Sequence, residues 1–128
     1  MTINAYRFVT GAAAGGVGVA TATSPVKQIR GVIRSIDIAY IGSPPASTTD
    51  ATVRTKGHSG QTATNILVVT NAATDGRFYP THLLHDAAGA AEEDPTVGEG
   101  FPVDDGIDAV IAQANNDDSL IVTLNVEE

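Results

Sequence analysis

The chain has no cysteine. That excludes a disulfide framework, a thiolate zinc site and a cysteine nucleophile, and says little about compartment. It has no Trp, one Met, three Phe and three Tyr, so its core must be built from Val, Ile, Leu and Ala. No apolar run approaches the roughly 18 residues of a membrane span. The opening "MTINAYRFVT" lacks a basic start followed by an apolar core, so no signal peptide is expected. Lys and Arg are also missing from a whole stretch. All seven lie between Arg7 and Arg77, where three acids leave a balance of +4. Residues 78–128 carry twelve acids and no Lys or Arg, a balance of −12. The net charge of −8 argues against a nucleic-acid partner. The asymmetry is explained either by two halves that interleave in one fold or by a polar molecule that docks on its neighbours through complementary faces.

At 128 residues and 42 % hydrophobic, the chain is one domain with enough apolar surface to fold. Its clearest pattern is period two. "SLIVTLNVE" sets Leu120, Val122, Leu124 and Val126 on one face. "GIDAVIAQAN" does the same with Ile107, Ala109 and Ile111, and "NNDD" (115–118) is expected to join the two as a hairpin. In "IRGVIRSIDIAYIG", Ile29 and Ile33 share one parity while Val32, Ile36, Ile38 and Tyr40 share the other. A bulge near Arg34-Ser35 reconciles them. "TDATVRTKG" alternates about Ala51 and Val53, "TNILVVTN" reads as a strand covered on both sides, and "YRFVT" and "VGVATAT" are shorter candidates. Helical periodicity is poor. The best case, "THLLHDAAGAAEED", is interrupted by Gly89 and stopped by Pro95. These features predict an all-β fold, an antiparallel β-sandwich or jelly roll of about seven to eight strands at residues 26–128. Residues 1–25, rich in Gly and Ala, are expected to form an extended arm that contacts a neighbour, because tiny side chains allow close backbone approach.

No stretch commits the chain to catalysis, and no catalytic, cofactor or metal residue is assigned. "TGAAAGGVG" (10–18) imitates a dinucleotide-binding turn. Thr10, Gly11 and Gly15 fit T-G-x-x-x-G-x-G, but Val17 stands where the last Gly belongs, and the following "VGVATATSPVK" is a poor helix. His82 and His85, with Asp86, have a spacing that two surface histidines reach by chance. Glu92, Glu93, Asp94, Asp104, Asp105, Asp117 and Asp118 lie in loop-like stretches that suit a solvated face better than a paired-carboxylate cleft. "DDGID" (104–108) and "NNDD" miss the EF-hand pattern. The residues left for a partner interface are Gly11, Gly15, Gly16 and Gly18 in the arm, the basic set Arg30, Arg34, Arg54 and Lys56, and the acidic Glu92, Glu93 and Asp94. If the charged groups carry the contact, binding must weaken with salt.

The segments "GVIRSIDIAYIGSPPASTTDATVRT", "NILVVTNAATDGRFYP" and "DDGIDAVIAQANNDDSLIVTLNVEE" together resemble the small all-β cement, or decoration, proteins of tailed-phage capsids. The likeness covers about residues 30–128 and rests on the order of a long strand, a polar loop, an apolar strand, an aromatic-Pro turn and a closing hairpin. It implies a jelly-roll protein on the virion exterior, assembled in the host cytoplasm. Such a protein bridges neighbouring copies of the major capsid protein as a homo-dimer or homo-trimer, with no enzymatic activity and no membrane partner. The alternative is a carbohydrate- or receptor-binding β-sandwich module. Its mark would be exposed aromatics drawn from Tyr6, Phe8, Tyr40, Phe78, Tyr79 and Phe101.

Overall fold

The computed structural model describes residues 2–25, 27–42, 44–57, 62–81 and 100–128. The long acidic stretch from Glu92 to Asp94, the His82/His85 pair, His58 and most of the helix candidate lie outside these residues. Nine strands and no helix are present among them: β1 (Ile3–Val9), β2 (Ala20–Thr23), β3 (Ile29–Ile41), β4 (Asp50–Thr55), β5 (Asn65–Val69), β6 (Gly76–Phe78), β7 (Phe101–Asp105), β8 (Ile107–Ala112) and β9 (Ser119–Glu127). They form two antiparallel sheets. One runs β1-β9-β3-β6, with β7 also paired to β3, and the other runs β2-β8-β4-β5. The protein is an all-β sandwich, as its alternating sequence predicts.

Alternation puts the core between the sheets. Ile29, Ile33, Ile36, Leu120, Val122, Leu124 and Val126 from one sheet meet Val53, Ile107, Ala109 and Ile111 from the other, all buried. Strand β3 stays in this core over 13 residues only because its parity changes once. Ile33 pairs with Val126 and Ser35 with Asn125, which leaves Arg34 as an extra residue. Before that bulge the odd positions face inward, and after it the even ones do.

Three expectations are corrected. Residues 1–25 are not an extended arm. Strand β1 forms one edge of the first sheet against β9, and β2 one edge of the second against β8. Residues 10–19 cross between them and include the buried Thr10, Ala13 and Gly18. Phe8, Ala13 and Ala20 belong to the core, so detaching this segment would expose apolar surface. The turn at 115–118 does not close a hairpin either. Strands β8 and β9 lie in different sheets, and the chain crosses the sandwich between them. Both strands are apolar on one face, and placing them in opposite sheets lets those faces meet. Finally, β5 is an edge strand with one face buried. Ile66 points inward while Val68 is 52 % exposed.

Candidate functional site

The strands divide the loops between two ends of the sandwich. The first, here the turn end, gathers the described parts of 10–19, 42–49, 70–75 and 113–118. The opposite end carries 24–28, 56–57 and Gly106.

At the turn end, residues 10–19 are held by backbone hydrogen bonds despite their composition. Ala13 N–H donates to the Asp118 carbonyl at 2.7 Å, and Asp117 N–H donates to the Ala13 carbonyl at 2.8 Å. Gln113 N–H donates to the Val17 carbonyl at 2.5 Å, and Ala14 and Val19 bridge each other. The loop thus lies flat on residues 113–118. Gly18 is why it can: φ is +54°, and a Cβ there would sit 1.9 Å from the Ala114 carbonyl oxygen. Gly11, Gly15 and Gly16 face open space. The buried Asp118 carboxylate accepts from Ala46 N–H at 3.1 Å and Asn115 N–H at 3.2 Å, which holds the neighbouring loop in place. Over this frame stand Val17, 63 % exposed, with Val19, Val9 and Ile41 also exposed. A hollow of about 440 Å³ lies between Ile41, Gly42 and Pro44 on one side and Asn115, Asn116 and Asp117 on the other. Among the described residues, the loops of this end contain no Lys or Arg.

The opposite end is charged. A cleft of about 580 Å³ is lined by Thr23, Lys27, Gln28, Lys56, Gly57 and Asp105. Its carboxylate is already engaged, since Asp105 accepts from Gly57 N–H and Gly106 N–H at 2.7 Å each. Asp104 accepts from Gln28 at 2.6 Å and Arg30 at 2.9 Å, and Asp108 from the Thr23 hydroxyl at 2.8 Å. "DDGID" therefore ties strand ends together. Among the described residues, no group of three or more His, Asp or Glu is placed to hold a metal.

The basic set is not one surface, contrary to expectation. Arg30 and Arg34 stand on the outer face of the first sheet and are paired with Asp104 and Glu127. Arg54 stands on the outer face of the second, opposite Asp108 in register. Lys56 follows β4 at the charged end. Period-two alternation in two different sheets separates residues that are close in sequence.

A polar patch on the first sheet was not foreseen. Arg7, Thr123, Asp37 and Arg77 form one row across β1, β9, β3 and β6. The Arg77 guanidinium forks onto Asp37, with Nε at 2.5 Å from Oδ1 and Nη2 at 3.1 Å from Oδ2. Asn125 donates to Ser35 at 3.0 Å and to Asp37 at 3.3 Å. The hydrogen bond from Arg77 holds the Asp37 carboxyl below its ordinary range, with Asn125 helping and desolvation opposing. Beside this patch, two residues on from Arg77, Tyr79 is 69 % exposed. It alone of the six aromatics is exposed; Tyr6, Tyr40, Phe78 and Phe101 are half-buried and Phe8 is buried.

No family model and no curated protein matches the chain. Among solved structures, the fold is similar to two variants of CBM29-2, a family 29 carbohydrate-binding module. The first has a TM-score of 0.48 and 11 % identity, the second 0.47 and 10 %, each covering 100 % of this chain and 92 % of that one. Another family 29 module variant has a TM-score of 0.46 and 10 % identity, over 97 % of this chain and 91 % of that one. At such scores and identities the likeness says nothing about what this chain binds.

Proposed function

We propose that this protein is a non-catalytic structural module that docks by its turn end onto a protein lattice, the outer surface of a phage capsid. One observation carries the reading. A hydrogen-bonded cap of tiny residues, with no Lys or Arg in its described loops, presents Val17 and Val19 to solvent, and Ile41 is exposed beside a shallow hollow at the same end. Exposed apolar groups on a preordered backbone suit a protein partner, because little is lost in ordering them on contact. In this reading Gly11, Gly15 and Gly16, which face open space, lie at the contact on a cap rather than on an arm, while the buried Gly18 packs against Ala114. Docking of this kind depends weakly on salt, since the scattered basic set does not form the contact. Co-sedimentation with empty shells of the source virus tests it. Wild-type protein is expected to pellet with shells, and Val17→Asp to remain in the supernatant while keeping its fold. Pelleting unaffected by Val17→Asp would contradict it.

A second reading rests on a different observation. The Arg77–Asp37–Asn125 network with Tyr79 beside it offers fixed donors, acceptors and one stacking ring on an open sheet face, the chemistry that hydroxyl-rich sugars use. Binding on a glycan array that is lost in Tyr79→Ala would favour this reading over capsid docking.

A further inference from the structure

We propose that the free edge of β1 pairs antiparallel with the same edge of a second copy, about a two-fold axis at Tyr6. The proposal stands on β1 alone and does not need the docking reading.

The hydrogen-bond parity of the strand decides which groups are available. Thr2 and Glu128 exchange both backbone hydrogen bonds, at 3.4 and 2.9 Å, and Thr10 N–H donates to Leu120 at 2.9 Å. With the register between them unbroken, the even residues of β1 spend their N–H and C=O on β9. Ile3, Ala5, Arg7 and Val9 therefore aim theirs away from the sheet. Among the described residues, nothing pairs with that edge. Seven residues long, it has no Pro and no bulge, and Arg7 is its one charged side chain among the devices by which sheet edges are usually protected.

The occupant follows from the strand's own pattern. In an antiparallel pair centred on Tyr6, residue 3 meets 9 and residue 5 meets 7, at both halves of the dyad. Every edge-facing residue then falls in a hydrogen-bonded position, and the register two residues either way leaves one unmatched. The exposed side chains agree. Ile3 and Val9, 54 % and 42 % exposed, meet each other at both ends, and Ala5 leaves room for Arg7 opposite it. The two Arg7 side chains lie diagonally, about 7–8 Å apart, a mild repulsion that salt screens.

Sedimentation equilibrium of the full chain over a wide concentration range is the test, with hydrogen exchange alongside. The expected result is a monomer–dimer equilibrium strengthened by salt, with amides of Ala5 and Arg7 protected in proportion to dimer. Ala5→Pro removes an N–H that β9 does not use, so the monomer keeps its ladder while dimerisation weakens about tenfold or more. Because the chain has no cysteine, Ala5→Cys mixed with Arg7→Cys reports the register by a mixed disulfide, the pair being about 5.5 Å apart between Cα atoms. A monomer at every concentration with freely exchanging edge amides would overturn the proposal. So would a dimer indifferent to Ala5→Pro.

Discussion

Gly18 shows how one residue fixes a surface. Its positive φ and the Ala114 carbonyl against it leave no place for a Cβ. Gly18→Ala is expected to cost on the order of 2–3 kcal/mol and to lift the loop from residues 113–118. Gly16→Ala, with open space around it, should stay within about 0.5 kcal/mol of wild type in urea denaturation. Asp37 gives a second residue-scale prediction. Its folded pKa lies below the ordinary 3.8, so its contribution is present above that value and is lost as pH falls through the lower, folded one. Acid titration of Arg77→Ala, followed by circular dichroism, should show a shallower loss of stability below about pH 4 than wild type shows. The sequence held no sign of this pair. Asp37, Arg77 and Asn125 sit on three strands, and only the register of the finished sheet brings them together.

At the scale of elements, the bulge at Arg34 is the most consequential single insertion. Deleting Arg34 would turn Ile36, Ile38 and Tyr40 outward, or else Ile29 and Ile33. The deletion is expected to abolish cooperative unfolding by calorimetry. This feature was legible, because one long apolar strand that switches parity midway needs an extra residue to keep both halves facing the core. The inward faces of β4, β8 and β9 were legible from their alternation alone. Partnering was not. Period two tells which side chains share a face but not which sheet a strand joins, so the β8–β9 connection reads as a hairpin until the topology is seen. Nor does composition distinguish an arm from a loop. Gly and Ala between Thr10 and Ala20 allow both, and the choice is made by Phe8, Ala13 and Ala20 finding the core.

For the whole molecule, charge and shape separate by location. The basic groups lie on the outer faces and at the end lined by Lys27, Lys56 and Asp105, and the turn end sets its exposed apolar groups beside the exposed carboxylates Asp75 and Asp117. An antiparallel β1 dimer would point its two turn ends in opposite directions, making a bar with a docking cap at each tip. Only one cap of such a bar can face a given shell, so pairing through β1 adds no avidity on one capsid. The dyad and the caps fail separately: Ala5→Pro should weaken the dimer while shell binding persists, whereas Val17→Asp should remove binding and leave the dimer. The central claim is that the turn end docks on the capsid, and co-sedimentation of Val17→Asp with empty shells tests it most directly. Loss of pelleting by a folded, dimeric variant is the predicted result. Pelleting equal to wild type, or sugar binding through Tyr79 with no affinity for shells, would contradict it.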